Sequence, residues 1–310
     1  MSMGRSPAAA AAAVSLFLGG CVTADFREPV GDFTTAMSQA NGIIGGYFTG
    51  MNAYERDLYL QQALQNPQME VVAVDAAGRR TGLMPTFSPA AVSARLNAVR
   101  LLSVYGERLA ALAGADAPAR FQAGSKVLGE NLTSLAATFN ALAGSGDSSA
   151  GSYIGPITTI VGVFGEMILE GQRETALRRA VQDGAPAVNA VLNQLERDLR
   201  AVVQPLQTTG ALQRASGSIA FYNANRRALS LEQRRTLLAQ IGDEMAAYEV
   251  ALATDPGEAV DGIRDAHAAL VDYARSSRRP EDLNALIAAI NTFNRRLEPL
   301  ADAVQQLRKA

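Results

Sequence analysis

The sequence predicts an all-α protein, an elongated antiparallel bundle of long helices, with room for one short β-hairpin near residues 69–82. Three observations predict it. Apolar residues recur three and four apart along most of the chain, the spacing that lines them up on one helix face. Tryptophan is absent and aromatics are 6%, yet apolar residues make up 48%. Small side chains, alanine above all, must therefore fill the interior, which suits close-packed helices better than a sheet. Prolines stand where helices would begin, at Ser88-Pro89, Asp255-Pro256 and Arg279-Pro280. At the first helical position the missing N–H costs nothing.

The elements follow in order. A first helix is expected from about Phe33 to Gln65, ending at Asn66-Pro67. A non-helical link, Gln68 to Phe87, comes next. Within it Met69 to Val74 has strand composition and a turn at Ala77-Gly78, although a lone hairpin is only marginally stable. The stripe Val92, Leu96, Val99, Leu102, Tyr105, Leu109, Leu112 marks a second helix over Pro89 to Ala113. A third is expected over Pro118 to Ala143, before the loop or hairpin tip "GSGDSSAGS", Gly144 to Ser152. Helices from Pro156 to Gln182 and Pro186 to Thr208 follow, the latter on the stripe Val188, Leu192, Leu195, Leu199, Val202, Leu206.

The C-terminal part reads as Leu212 to Leu229, Leu231 to Ala253, Pro256 to Arg275 and Pro280 to Arg308. Ser230 with Gln233 forms a capping-box pattern. The last helix carries Leu283, Leu286, Ile290, Phe293, Leu297, Leu300, Val304 and Leu307. Pro205 and Pro299 should kink or stop the helices that contain them. There is no fixed-length repeat, so residues 33–310 read as a single helical-bundle domain.

The start of the chain is written differently. Arg5 gives a short leading segment one positive charge, and Ala8 to Leu18 is uncharged with Ser15 its only polar residue. That run is too short to span a bilayer, which needs ~20 residues, and fits the apolar part of a secretory signal. Leu18, Gly19, Gly20 and Cys21 resemble the bacterial lipobox: a branched apolar residue, two small residues and cysteine. The resemblance implies that residues 1–20 are a cleaved lipoprotein signal peptide, with Leu18, Gly19 and Gly20 recognised by the signal peptidase. It also implies that Cys21 is lipidated with palmitate-type chains. A plain secretory signal with a chance cysteine is the alternative. Each buried methylene contributes ~0.8 kcal/mol, so two or three chains hold almost permanently.

Val22 follows the cysteine, where an aspartate would favour inner-membrane retention. By resemblance the expected address is the outer membrane, facing the periplasm. Residues 21–32, with Pro29 and Gly31, are expected to form a flexible tether.

Composition removes several functions. Cys21 is the only cysteine, so no disulfide can form within the chain. A formal charge of −2 gives no basic footprint for nucleic acid. His267 is the only histidine, which excludes a two-histidine metal site and the Glu-x-x-His pairs of di-iron bundles. It falls on the stripe Val260, Ile263, His267, Leu270, Ala274, where a buried, hydrogen-bonded histidine is the plain reading. Gly42, Gly45, Gly46 and Gly50 lack a preceding strand or a lysine and suit close helix approach better than phosphate binding. No catalytic residue, metal or cofactor is expected.

The segment "YIGPITTIVGVFGEMILEGQRE", Tyr153 to Glu174, supports two readings. One is a core helix whose glycines Gly155, Gly162 and Gly165 let neighbours come close. The other is a membrane-inserting hairpin, since the pattern resembles the hydrophobic tongue of helical pore-forming toxins of the cytolysin A type. Thirteen uncharged residues from Tyr153 to Gly165 are too few to span ~30 Å as a helix. Glu166 and Glu170 lie on one helix face and read as solvated, with Arg173 near. The arginine doublets, among them Arg226-Arg227, Arg234-Arg235 and Arg295-Arg296, read as a solvated surface balanced by acids such as Glu196, Asp198, Glu232 and Glu298. A contact with anionic lipid or a protein is the sharper reading.

The expected function is therefore that of a lipid-anchored, periplasmic envelope protein with a structural or protein-interaction role, engaging an envelope protein partner. A membrane-active protein inserting residues 153–169 is the alternative. An enzyme comes third, because the ionisable groups most mechanisms need are sparse.

Overall fold

The computed structural model of the chain describes residues 21–113, 153, 155–160, 162–163, 173–277 and 279–309. Among these residues the architecture is all helix: α1 (Cys21–Gln65), α2 (Pro89–Ala113), α3 (Arg173–Asp198), α4 (Gln204–Asn225), α5 (Leu231–Ala253), α6 (Glu258–Arg275) and α7 (Pro280–Lys309). A π-turn, Leu199–Val203, joins α3 to α4 without leaving helical geometry. Residues 155–160 add a short helical piece.

α1 is the axis. It packs against α2, α4, α6 and α7, which explains its many fully buried residues, among them Phe33, Ala40, Ile44, Tyr47, Phe48 and Met51. α2 runs antiparallel to it: Asn52 bonds the Phe87 backbone, Asn41 bonds Ser103, and Thr34 donates to the Gly106 carbonyl at 2.9 Å. Small residues set these approaches. A Cβ on Gly45 would stand 3.0 Å from Leu96, and one on Gly50 3.0 Å from Leu307 of α7. α3 packs on α2 and α6, and α6 on α7, where Gly262 makes room for the Phe293 ring.

The helix starts follow local chemistry. The Ser88 hydroxyl accepts from the Ala91 N–H ahead of α2, and Ser230 and Gln233 complete a reciprocal capping box on α5. At Asp255 the carboxylate caps the turn by accepting from the Gly257 N–H at 2.8 Å, so α6 begins at Glu258 and Pro256 sits in the turn.

Several expectations need correction. Residues 21–32 are helical rather than a tether. Val30 and Phe33 are fully buried, and their packing outweighs the single backbone bond lost at Pro29. Pro186 does not open a helix but lies inside α3, whose faces on both sides of it are buried. The break expected near residue 209 is absent, because Pro205 falls just after the π-turn, where α4 begins. That helix then stops at Asn225 rather than Leu229. The hairpin near 69–82 reduces to one antiparallel bridge, Val74 with Arg80, around Gly78 at φ +76°. The helix expected over 118–143, the loop at 144–152 and the leader 1–20 lie outside the described residues.

The segment beginning at Tyr153 presents one buried face. Tyr153, Ile157 and Ile160 are buried, while Gly155, Thr159 and Gly162 face outward. A Cβ on Gly155 or Gly162 would meet nothing within 4 Å, so close approach does not explain these two glycines. Replacing Ile157 with aspartate should destabilise the fold by ~3 kcal/mol or more, through lost burial and an unpaired charge. Thr159→Asp, on the outward face, should stay within ~0.5 kcal/mol. Thermal melts of both variants check this, and equal losses would contradict one-sided burial.

Candidate functional site

The sequence's own candidate, Cys21, stands as the first residue of α1, a helix of 45 residues that ends at Gln65. At 1.5 Å per residue the helix carries the chain ~66 Å from that thiol. Leu18, Gly19 and Gly20 lie outside the described residues, as do Glu166 and Glu170.

At the Gln65 end, α4 and α5 build an arm. Tyr54 of α1 meets Gln207 and Gly210, Gln62 meets Gln213, and Gln65 meets Gly217 and Ser218. These pairs rise together in residue number, so α4 runs parallel to α1 and continues past its end. The join is polar. Gln61 donates to Ser218 at 3.2 Å and to Glu244 of α5 at 2.9 Å, and Gln240 donates to the same carboxylate. Arg214 stacks over the Tyr54 ring, 5.2 Å from its centroid. Burial, opposed by Arg214, pushes the Tyr54 phenol up to about 12.

Beyond Ser218 the arm is a bare helical hairpin. From 219 to 242 every residue is exposed or only partly covered. Leu237 and Ile241 are partly covered, whereas Leu231 is 76% and Leu238 49% exposed. Arg226, Arg227, Arg234 and Arg235 are all exposed, and no ion pair engages them among the described residues. Arg226 only reaches back to Asn223. Of the expected balancing acids, Glu196 pairs with Arg200 and Arg264 and Asp198 is buried, which leaves Glu232 as the one that lies on the arm.

The arm's root is fixed where both of its helices are irregular. The π-turn at Leu199–Val203 stands level with the break at Thr254–Gly257. Arg200 bridges them, with Nε 2.8 Å from Asp255 and Nη2 2.6 Å from Asp261, and with Glu196 as a third partner. Hydrogen bonding to Asp255, then to Asp261, raises the Arg200 guanidinium above its ordinary value against the opposing effect of burial.

Two further polar groups lie inside the bundle. Arg95 contacts Asp198 at 2.9 Å and lies over the rings of Phe87 and Phe48. Tyr153 donates to the same carboxylate at 2.7 Å, which ties the 153 segment to α2 and α3. His267 is buried and 2.9 Å from the Tyr105 hydroxyl, with the Phe33 ring beside it. Burial holds the imidazole down at about 4 and raises the Tyr105 phenol. His267 is thus a neutral core residue, far from any surface reactant.

An open groove of about 660 Å³ runs between α1 and α7, lined by Asp32, Gln39, Ile43, Asn294, Leu297 and Glu298. Gly42 borders it with open space ahead of its Cβ direction, so at this glycine close approach is not the reason. Among the described residues no group of three or more His, Cys, Asp or Glu could hold a metal, and no helix is long and apolar enough to cross a membrane. No protein-family model, curated protein or solved structure matches this chain. The arginine doublets were legible in the sequence, but the arm tip that gathers two of them was not. Its signal was four arginines against one glutamate between 219 and 242, visible only once the doublets are placed on one hairpin.

Two outcomes test these buried groups. The folded His267 resists protonation down to about 4, while the unfolded side chain titrates near its ordinary 6.5. Its contribution is complete above pH 6.5 and is lost as pH falls toward 4, on the order of 3 kcal/mol in total. Denaturant titrations of the parent and His267→Gln should therefore diverge in slope across that window, with the variant flatter. Asp198→Asn should cost ~3–5 kcal/mol by removing the charge that Arg95 faces at 2.9 Å and that Tyr153 donates to. A loss below ~1 kcal/mol in urea unfolding would show that the pair does not hold the helices.

Proposed function

We propose that this chain is a lipid-anchored cell-envelope protein with a structural, partner-presenting role. Cys21 would carry the acyl chains, the outer membrane would hold them, and the bundle would face the periplasm. The observation that supports this reading is the span of α1. One unbroken helix begins at the lipobox cysteine and ends beside Ser218, where the bare part of the arm begins, ~66 Å away. Because residues 21–32 are helical and Val30 and Phe33 are buried, an anchor at Cys21 would hold the body by a helix rather than a loose string. Such an anchor would carry the arm far from its own membrane.

The test is acylation. Cys21→Ser should abolish incorporation of a fatty-acid analogue, because a hydroxyl cannot form the thioether. Equal label on parent and variant would refute the anchor.

A further inference from the structure

We propose that the tip of the α4–α5 arm docks onto the surface of an anionic bilayer. The geometry points to it through one helix face. Leu231, Arg234, Arg235 and Leu238 stand at spacings of three, four and seven, hence on one side of α5, and all four are exposed. The side of α5 turned toward α4 is different, carrying Leu237, Ile241 and Glu244. The exposed face holds two leucines and two arginines without an acid, and Arg226 and Arg227 add two more cations at the turn.

Shape selects the occupant. The tip is two bare helices and a turn, and Leu231 stands on it 76% exposed with arginines before and after it in sequence. A protein partner would need a pocket matched to that side chain. The interfacial zone of a bilayer deforms around an apolar side chain and offers phosphates to the guanidinium groups at the same depth. Charge agrees. Residues 219–242 carry four arginines and one glutamate, +3, so a chain of −2 carries −5 elsewhere. An anionic surface attracts the tip and repels the rest, so docking is end-on.

This inference stands apart from lipidation, and its test removes the anchor. The full chain carries Cys21→Ser and Ala228→Cys, which leaves one thiol at the exposed turn for an environment-sensitive fluorophore. Vesicles of phosphatidylcholine alone are compared with vesicles also containing phosphatidylglycerol. The dye should shift to the blue only with the anionic vesicles, and less at high salt. Each of Arg226, Arg227, Arg234 and Arg235 changed to glutamine should weaken partitioning about fivefold, provided thermal melts show the fold intact. Leu231→Ser should weaken it too, and this loss should persist at high salt. A dye placed at exposed Gln305 instead should not shift. The proposal is overturned if the tip dye stays in water with every vesicle, as it would if an acidic protein were the true partner. It is equally overturned if neutral vesicles give the same shift, or if the glutamine variants partition like the parent.

Discussion

The position of everything beyond the bundle depends on Arg200. At its level the ascending helix widens into a π-turn and the descending one breaks between Thr254 and Gly257. Without a clamp, Glu196, Asp255 and Asp261 would crowd three carboxylates into that gap. Arg200 donates to all three, and Arg264 donates to Asp261 and Glu196 to close the ring. The arrangement explains Gly257, whose Cβ would run into the Arg200 guanidinium. These groups are about a quarter exposed, so each pair contributes little free energy. Their consequence is directional: two irregular segments are held in one relation, and the arm leaves the body at one angle.

The buried polar groups of the body work on the same principle at greater depth. Many of the fully buried residues that line the core are alanines, including Ala36, Ala40, Ala94, Ala98, Ala180, Ala266 and Ala303. Small side chains permit close approach but distinguish poorly between neighbouring registers. A pair such as Asp198 with Arg95, or Tyr105 with His267, forms in one register of the helices only. Any slip would leave a charge or a donor buried alone, at several kcal/mol. A well-packed apolar replacement of both partners could match the pair in stability. What the polar version adds is a penalty on every other alignment of α2, α3 and α6.

The helices were legible in the sequence because their evidence is local. The stripe from Leu283 to Leu307, the capping box at Ser230 and the proline at 280 each depend on a few adjacent residues, and each stands where the periodicity placed it. Pro186 and Pro29 misled because a proline forfeits one backbone bond, while the helix it sits in buries a whole apolar face. Gly155 and Gly162 misled for the opposite reason, since a glycine in sequence does not say whether a neighbour is near. The Tyr153–Asp198 bond and the Arg200 ring were illegible, because they join residues 45 and 55–61 positions apart. The arm tip falls between: its arginines are plain to read, but their lack of acid partners is a fact about space.

That lack matters because of distance. Asp243 and Glu244, the nearest acids toward the arm's root on α5, lie 12–13 residues from Leu231, or ~18 Å along the helix. Charges in physiological salt are screened over ~8 Å, so the acids of the body scarcely cancel the tip's field in the water ahead of it. Had the same four arginines been placed near Glu196 and Asp261, they would have been absorbed into the ring that surrounds Arg200. An arm of two bare helices is costly in exposed leucine, and nothing in the packing of the body requires it to extend past Gln65. The hairpin earns its length only through what it separates: a local +3 from a chain that is otherwise acidic. Separation of that kind gives a molecule a leading end, and in this chain the leading end lies at the far side of a 45-residue helix from Cys21.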